Sequence, residues 1–134
     1  MIREIPANQT WEIRHEVMWP DESLDFVKIQ GDENASHYGY FFNEELIAVV
    51  SVFLDAKNQS AQFRKLACVK KYQGKGIGGS LVHHLTEHTP VNRIFCNARI
   101  EKTSFYSNLG FQETEEKFNR KNQEYIIMEK YINK

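Results

Sequence analysis

The sequence predicts an α/β (α+β) fold: a mixed, mostly antiparallel central sheet of about six to seven strands, flanked by helices. Three observations predict it. The β-rich runs "HYGYFF" and "ELIAVVSVFL" stand two residues apart, the spacing of a tight hairpin. Ile77, Leu81, Val82 and Leu85 form a helical stripe between strand-like segments. Strand-like and helix-like segments also mix along the chain without a repeat, linker or low-complexity tract, which suits helices packed on the faces of one sheet. The 134 residues suit a single domain, 1–134, and a hydrophobic share of 41% supports a real core and excludes disorder.

The elements follow in order. A short first strand ends at "EIPANQ". Thr10 is placed to cap a helix running to about Trp19, with Glu12 in its first turn and Pro20 as its stop. Ile13 and Val17 share a face of it, as do Trp11 and Met18. "DESLDFVKIQGDENAS" reads as mostly loop, the hairpin follows, and "DAKNQS" is a second turn. "AQFRKLACV" is a third strand whose imperfect alternation fits a bulge or two-sided burial. The Ile77 helix ends before Pro90, and "RIFCNARI" is another strand. "TSFYSNLGF" is a short helix closed by Gly110 in the left-handed conformation. One more strand is expected near Gln112–Phe118, where Glu113, Glu115 and Glu116 read as a solvated edge, and "EYIIMEKYI" is the last. In that strand Tyr125, Ile127 and Tyr131 alternate with Ile126, Met128 and Ile132, which suits burial on both faces or an oligomer contact, and the protein is expected to be a monomer or a homodimer.

Charge and composition exclude several classes. The net charge of −1 leaves no basic excess to displace counterions from a nucleic acid. No apolar run approaches the roughly 18 residues that a membrane span needs. Charges occupy the N-terminal stretch where a signal peptide would be apolar, and Cys68 and Cys96 are too few for a disulfide framework, so a cytoplasmic location is expected. His84 and His88 lie four apart on a helix, but no third ligand stands at matching spacing, and no metal is expected.

"QGKGIGGSL" holds four of the seven glycines in six positions. Gly74, Gly76 and Gly79 satisfy the G-x-G-x-x-G pattern, but hairpins precede it and only about 55 residues follow, against a dinucleotide fold. No Gly-Lys-Ser/Thr closes an ATP-type P-loop. A plain glycine-rich turn remains as the bland alternative. Lys70, Lys71 and Lys75 surround the stretch, and no acid lies between Gln62 and Thr86. A strand, a lysine-bearing glycine loop and a helix N-terminus together make an anion cradle suited to a diphosphate.

"LACVKKYQGKGIGGSLV" resembles the acyl-CoA signature of the GNAT family of N-acetyltransferases, with Gln73, Gly76 and Gly78 at the motif positions. "FYSNLGF", Phe105 to Phe111, resembles the later motif of that family, a Phe-Tyr pair ahead of a Gly-Phe. The spacing of the two motifs and the element order agree, so the resemblance covers nearly the whole chain. "IRHEVMWPDES" also resembles a small bacterial branch of the family.

The resemblance implies the GNAT fold and an acetyl-CoA co-substrate. Backbone groups of Leu66, Ala67, Cys68 and Val69 would pair with the pantetheine arm. The N–H groups of Gln73, Gly74, Lys75, Gly76, Ile77, Gly78 and Gly79, with Ser80 beside them, would hold the diphosphate. Gln73 stands where the family more often has Arg, and Lys71 or Lys75 would supply the missing charge. Asn97 would border the pantetheine or be satisfied within the sheet, and Ser104 would cap its helix or touch CoA.

Transfer to an amine needs a neutral amine, donors for the developing oxyanion and a proton for the thiolate. The resemblance implies Tyr106 as proton donor, and a backbone N–H near Cys68 or Val69 as oxyanion donor. Glu45, His37 and Asp32 are candidate bases, and the base stays unassigned. Arg64 would recognise a carboxylate on the acceptor side or pair with a surface acid, with His37 as a second substrate-side residue. Cys68 reads as a small strand residue rather than a nucleophile. Acceptor specificity would lie in Trp11–Ser36 and Glu113–Glu124. A catalytically silent acyl-CoA sensor is the alternative function.

Overall fold

The structure is a computed structural model that describes residues 1–132. In chain order it forms β1 (Ile2–Ile5), α1 (Trp11–Met18), β2 (Ser36–Phe42), β3 (Glu45–Asp55), β4 (Ser60–Cys68) and α2 (Ile77–His88). Then come β5 (Arg93–Arg99), α3 (Thr103–Ser107), β6 (Gln112–Arg120) and β7 (Gln123–Tyr131). The seven strands make one sheet in the order β1-β2-β3-β4-β5-β7-β6. All neighbours are antiparallel except β4 and β5, whose connection crosses over through α2 and returns parallel.

Local chemistry accounts for the hairpins. Asn43 (φ 50°) and Glu44 (φ 66°) both adopt the left-handed conformation, and so do Lys121 (φ 50°) and Asn122 (φ 64°). Two successive positive φ values give the turn whose twist matches a two-residue hairpin. Gly110, at φ 93°, follows α3 in the left-handed conformation the sequence predicts. Thr10 departs from expectation. Its backbone is already helical (φ −84°, ψ −20°), so its hydroxyl turns back and donates to the Ala7 carbonyl at 2.7 Å instead of capping α1. The segment after α1 is irregular, as predicted, apart from two short 3-10 turns, Leu24–Val27 and Asp32–Asn34.

The sheet is covered on both faces. α2 buries Ile77, Leu81, Val82 and Leu85 against Val50, Val52, Ile94 and Met128. On the other face α1 buries Ile13 against Ile5, Val49 and Ala67. β7 is interior, and of its two alternating sets Ile126 and Met128 are fully buried while Tyr131 stays exposed. β6 is the edge strand, and its glutamates face water. Among the described residues no helix is long and apolar enough to cross a membrane.

Two irregularities in β4 shape everything that follows. Its register against β3 shifts between Val49 and Ser51, with Lys65 at φ 58°, which is the bulge anticipated from the broken alternation. Its pairing with β5 covers only Ser60–Gln62 against Arg93–Phe95. Beyond that point the two strands run on unpaired to Cys68 and Arg99, and a fork opens in the sheet.

Candidate active site

The upper limb of the fork is the end of β4. Cys68 stands opposite Ala48, and the next residue, Val69, donates its N–H to the Ile47 carbonyl at 2.9 Å. In an antiparallel pair this makes Cys68 a non-hydrogen-bonded position, so its own N–H and C=O face away from β3, into the fork. Val69 N–H is therefore engaged, and Cys68 N–H is the open donor of the pair named from sequence. Leu66 and Ala67 pack into the core on opposite faces. Burial raises the Cys68 thiol above its ordinary value, which keeps it neutral and unsuited to nucleophilic attack.

The glycine loop joins this limb to α2. Gln73 spends one N–H of its side-chain amide on the Cys68 carbonyl, at 2.8 Å, and so ties the loop to the strand. Gly74 (φ 79°) and Gly76 (φ 83°) are in the left-handed conformation, and a Cβ on either would meet nothing within 4 Å. Open space thus lies over both. The other two glycines lie in the helix, where an added Cβ would make ordinary van der Waals contact. A Cβ on Gly78 would stand 3.6 Å from Phe105 Cζ, and one on Gly79 3.4 Å from Leu109 Cδ2. The first helical bond runs from Ser80 N–H to the Gly76 carbonyl, so the N–H groups of Ile77, Gly78 and Gly79 have no intrahelical acceptor. Ser80 also donates its hydroxyl to that carbonyl at 3.0 Å and so has no donor left for a ligand. An open concavity with free N–H groups at a helix N-terminus, and lysines beside it, fits a diphosphate.

Tyr106 lies on α3, half-buried, in an aromatic cluster with Phe105, Phe63 and Phe111 at ring separations of 5.0, 5.9 and 6.3 Å. Burial pushes its phenol well above the ordinary value, the neighbouring Cys96 adds to this, and the Arg99 charge opposes it weakly. Cys96 is itself buried and its thiol is pushed up to about 12. Asn97 lies on β5 opposite Ile127, past the last β4 partner, and so borders the fork. Ser104 sits inside α3 rather than at its cap, which is Lys102.

The sequence candidates for a base are taken up elsewhere. His37 is 2% exposed. Its Nε2–H donates to the Asp32 carbonyl at 2.8 Å, which fixes the tautomer and leaves Nδ1 to accept from the Ser51 hydroxyl at 2.7 Å. Ser51 in turn accepts from Arg14 at 2.7 Å, and Arg14 grips the Asp32 carboxylate at 2.8 and 3.0 Å. His37 and Asp32 are therefore parts of a closed buried network, with no free lone pair on the imidazole for a substrate proton. Glu45 lies at the exposed start of β3.

A cavity of about 560 Å³ lies beside the fork, and of its cations Lys65 and Arg99 were missed from sequence, while Arg120 and Lys121 fall in the segment assigned there to the acceptor. Arg64 and Lys65 of the β4 bulge, Arg99 at the end of β5, and Arg120 and Lys121 of the β6–β7 turn line it. Trp19 and Phe26 contribute from the segment after α1. Arg64 was singled out from sequence; the other cations carry no local motif. A wider, shallower groove of about 690 Å³ lies at the far end of α2, lined by His83, His88 and Lys130, and contains none of these residues. There the His84 and His88 rings stack at 4.0 Å.

Comparison with known proteins agrees with this geometry. A profile of the family described as Acetyltransferase (GNAT) domain matches residues 12–132. An uncharacterized N-acetyltransferase of Bacillus subtilis (strain 168), YitI, is 29% identical over 128 residues, covering 87% of this chain and 85% of that protein. Among solved structures, an aminoglycoside 6'-N-acetyltransferase complexed with coenzyme A superposes with a TM-score of 0.82 at 14% identity, over 100% of this chain and 98% of the other. A GNAT family acetyltransferase from Elizabethkingia anophelis with acetyl-CoA bound gives 0.75 at 15% identity, over 98% and 97% of the two chains. At these identities the structural likeness speaks for the fold.

Proposed function

Because the chain belongs to the GNAT family of acetyltransferases, we propose that it moves an acetyl group from acetyl-CoA to a primary amine of a small molecule or peptide, by direct attack in a ternary complex. The observation that carries this is the continuity of the β4–β5 fork with the glycine cradle: Cys68, whose backbone faces the fork, is tied by Gln73 to the loop that opens α2.

Acetyl-CoA supplies an activated thioester. The N–H groups from Gly74 to Gly79 hold its diphosphate, and Leu66 to Cys68 on one limb with Asn97 on the other border the pantetheine. Cys68 N–H is the donor for the carbonyl oxygen as charge develops on it. The amine nitrogen bonds to the carbonyl carbon, the carbon–sulfur bond breaks, Tyr106 gives its proton to the sulfur, and the proton lost by the nitrogen passes to water, which reprotonates the phenolate. A raised phenol is a weaker acid, but it is fully protonated at working pH and ready to donate once the thiolate forms beside it. Cys68 and Cys96, both neutral thiols, take no covalent part.

The test is a thermal-shift series followed by an acceptor screen. Acetyl-CoA at about 100 times its Kd should stabilise the fold by about 2.7 kcal/mol, NAD should not, and thiol should be released when an acceptor amine is added. Stabilisation by NAD alone would overturn the reading. Stabilisation by acetyl-CoA with no thiol release from any amine would make the protein a sensor.

A further inference from the structure

We propose that the acceptor is an amine carrying a doubly charged oxyanion, either a phosphomonoester or a pair of carboxylates, held by Arg64, Lys65, Arg99, Arg120 and Lys121. The proposal rests on the acetyltransferase reading above and names its substrate class.

Seven cations line one cavity of a protein whose net charge is −1, and five of them, Arg64, Lys65, Arg99, Arg120 and Lys121, stand outside any ion pair among the described residues. These five arrive from three separate places: the β4 bulge, the end of β5 and the β6–β7 turn. Among the described residues no carboxylate lines the cavity, and none of the five takes part in an ion pair. Of the nearby acids, Asp32 is held by Arg14 and Asp25 by Lys28, and Glu101, next to the end of β5, accepts from Gln123 at 2.9 Å. Arg14 also lines the cavity, and its Nε–H is buried without an acceptor among the described residues. Unbalanced charge at this density is costly for the protein alone and favours an anion.

The neighbours confirm that the charges feel one another. Burial, followed by the repulsion of Arg64, Arg14, Arg120 and Lys121, holds the Lys65 ammonium below its ordinary value. Arg64 is lowered for the same reasons, chiefly burial and then Arg120 and Arg14. Aromatic faces keep the ammonium groups in place: Lys121 Nζ lies 5.2 Å from the Phe26 ring centre, and Lys65 Nζ 5.9 Å from that of Trp19.

This arrangement bears on the unassigned base. An ammonium entering a cationic cavity is disfavoured in its charged form, so the field itself drives the acceptor toward the neutral amine. The oxyanion docks the substrate, and the ammonium at its other end gives its proton to water. A cavity of about 560 Å³ suits a small molecule or the end of a peptide. Polyamines, which bring only positive charge, are excluded.

The test uses the full chain saturated with CoA, so that the glycine cradle cannot take the probe. Inorganic phosphate and malonate are titrated calorimetrically into the wild type and into the double variant Arg120→Gln/Lys121→Gln, both positions being exposed, one at the end of β6 and one in the turn after it. At least one anion should bind the wild type, and the variant should weaken it by roughly 10-fold or more. Whichever anion binds better identifies the phosphate or the dicarboxylate source. O-Phosphoethanolamine or glutamate should then exceed ethanolamine in kcat/KM by roughly 100-fold. Binding of neither anion, equal binding by the variant, or preferential acetylation of spermidine would overturn the proposal while leaving the acetyltransferase reading intact. Failure of CoA to bind would overturn that reading, and this proposal with it.

Discussion

At Tyr106, burial and Cys96 both disfavour the phenolate, so the hydroxyl stays protonated through its ordinary range. Two consequences can be measured. Tyr106→Phe should lower kcat by roughly 100-fold while the Kd for acetyl-CoA stays within about 3-fold of the wild type. The wild-type pH–rate profile should show no Tyr106-dependent fall below about pH 10, because the folded value lies above the free one and the acid form persists as pH rises. A falling limb below that pH which disappears in the variant would show that the phenol is not raised. Equal turnover by the variant would remove Tyr106 from the mechanism. The residue type and its Phe105 neighbour were legible in the sequence. The fates of His37 and Asp32 were not, because burial and partner choice depend on Arg14 and Ser51, far away in the chain.

Elements were legible wherever the signal is local. The hairpin over Asn43 and Glu44 follows from two β-rich runs two residues apart, although neither turn residue is glycine. That leaves strain in place: Glu44 holds φ 66° with a β-carbon. Glu44→Gly should stabilise the protein by about 0.5–1 kcal/mol and raise Tm by roughly 2–4 °C in a thermal melt. No gain would mean that the glutamate side chain compensates for its backbone. The sequence reads the glycine loop as an anion cradle without distinguishing its four glycines, which are not equivalent. Gly74 and Gly76 serve backbone conformation under open space, whereas Gly78 and Gly79 are helical and face Phe105, Leu66 and Leu109 at ordinary contact distance. Periodicity cannot separate these roles, since the contacts come from β4 and α3. The Thr10 cap failed for a related reason: the preceding 3-10 turn already drew its backbone into the helical region.

At the scale of the whole molecule, the Arg14–Asp32–Ser51–His37 network fastens α1 and the segment after it to β2 and β3. Burial pushes the Asp32 carboxyl upward, but hydrogen bonds from Arg14 and from Ile29 N–H outweigh it and hold the group below its ordinary value. A carboxyl depressed on folding contributes stability above its unfolded pKa, about 3.9, and loses it as pH falls through the folded value. Asp32→Asn should therefore cost about 3–5 kcal/mol at pH 7 in urea unfolding, and the difference from the wild type should shrink below about pH 4. A gap that is constant with pH would mean that Asp32 acts through shape and not charge. Arg14 of that network also lines the cavity where the cations collect, and none of that collection shows in a net charge of −1. By itself, the sequence determined the strand and helix order and the place of the glycine loop between β4 and α2, because hydrophobic period, turn chemistry and glycine spacing act over a few residues. Only the tertiary structure decided which charges meet, because Arg64, Arg99 and Arg120 come together through strand pairing and an unpaired fork, across chain separations that no local pattern spans.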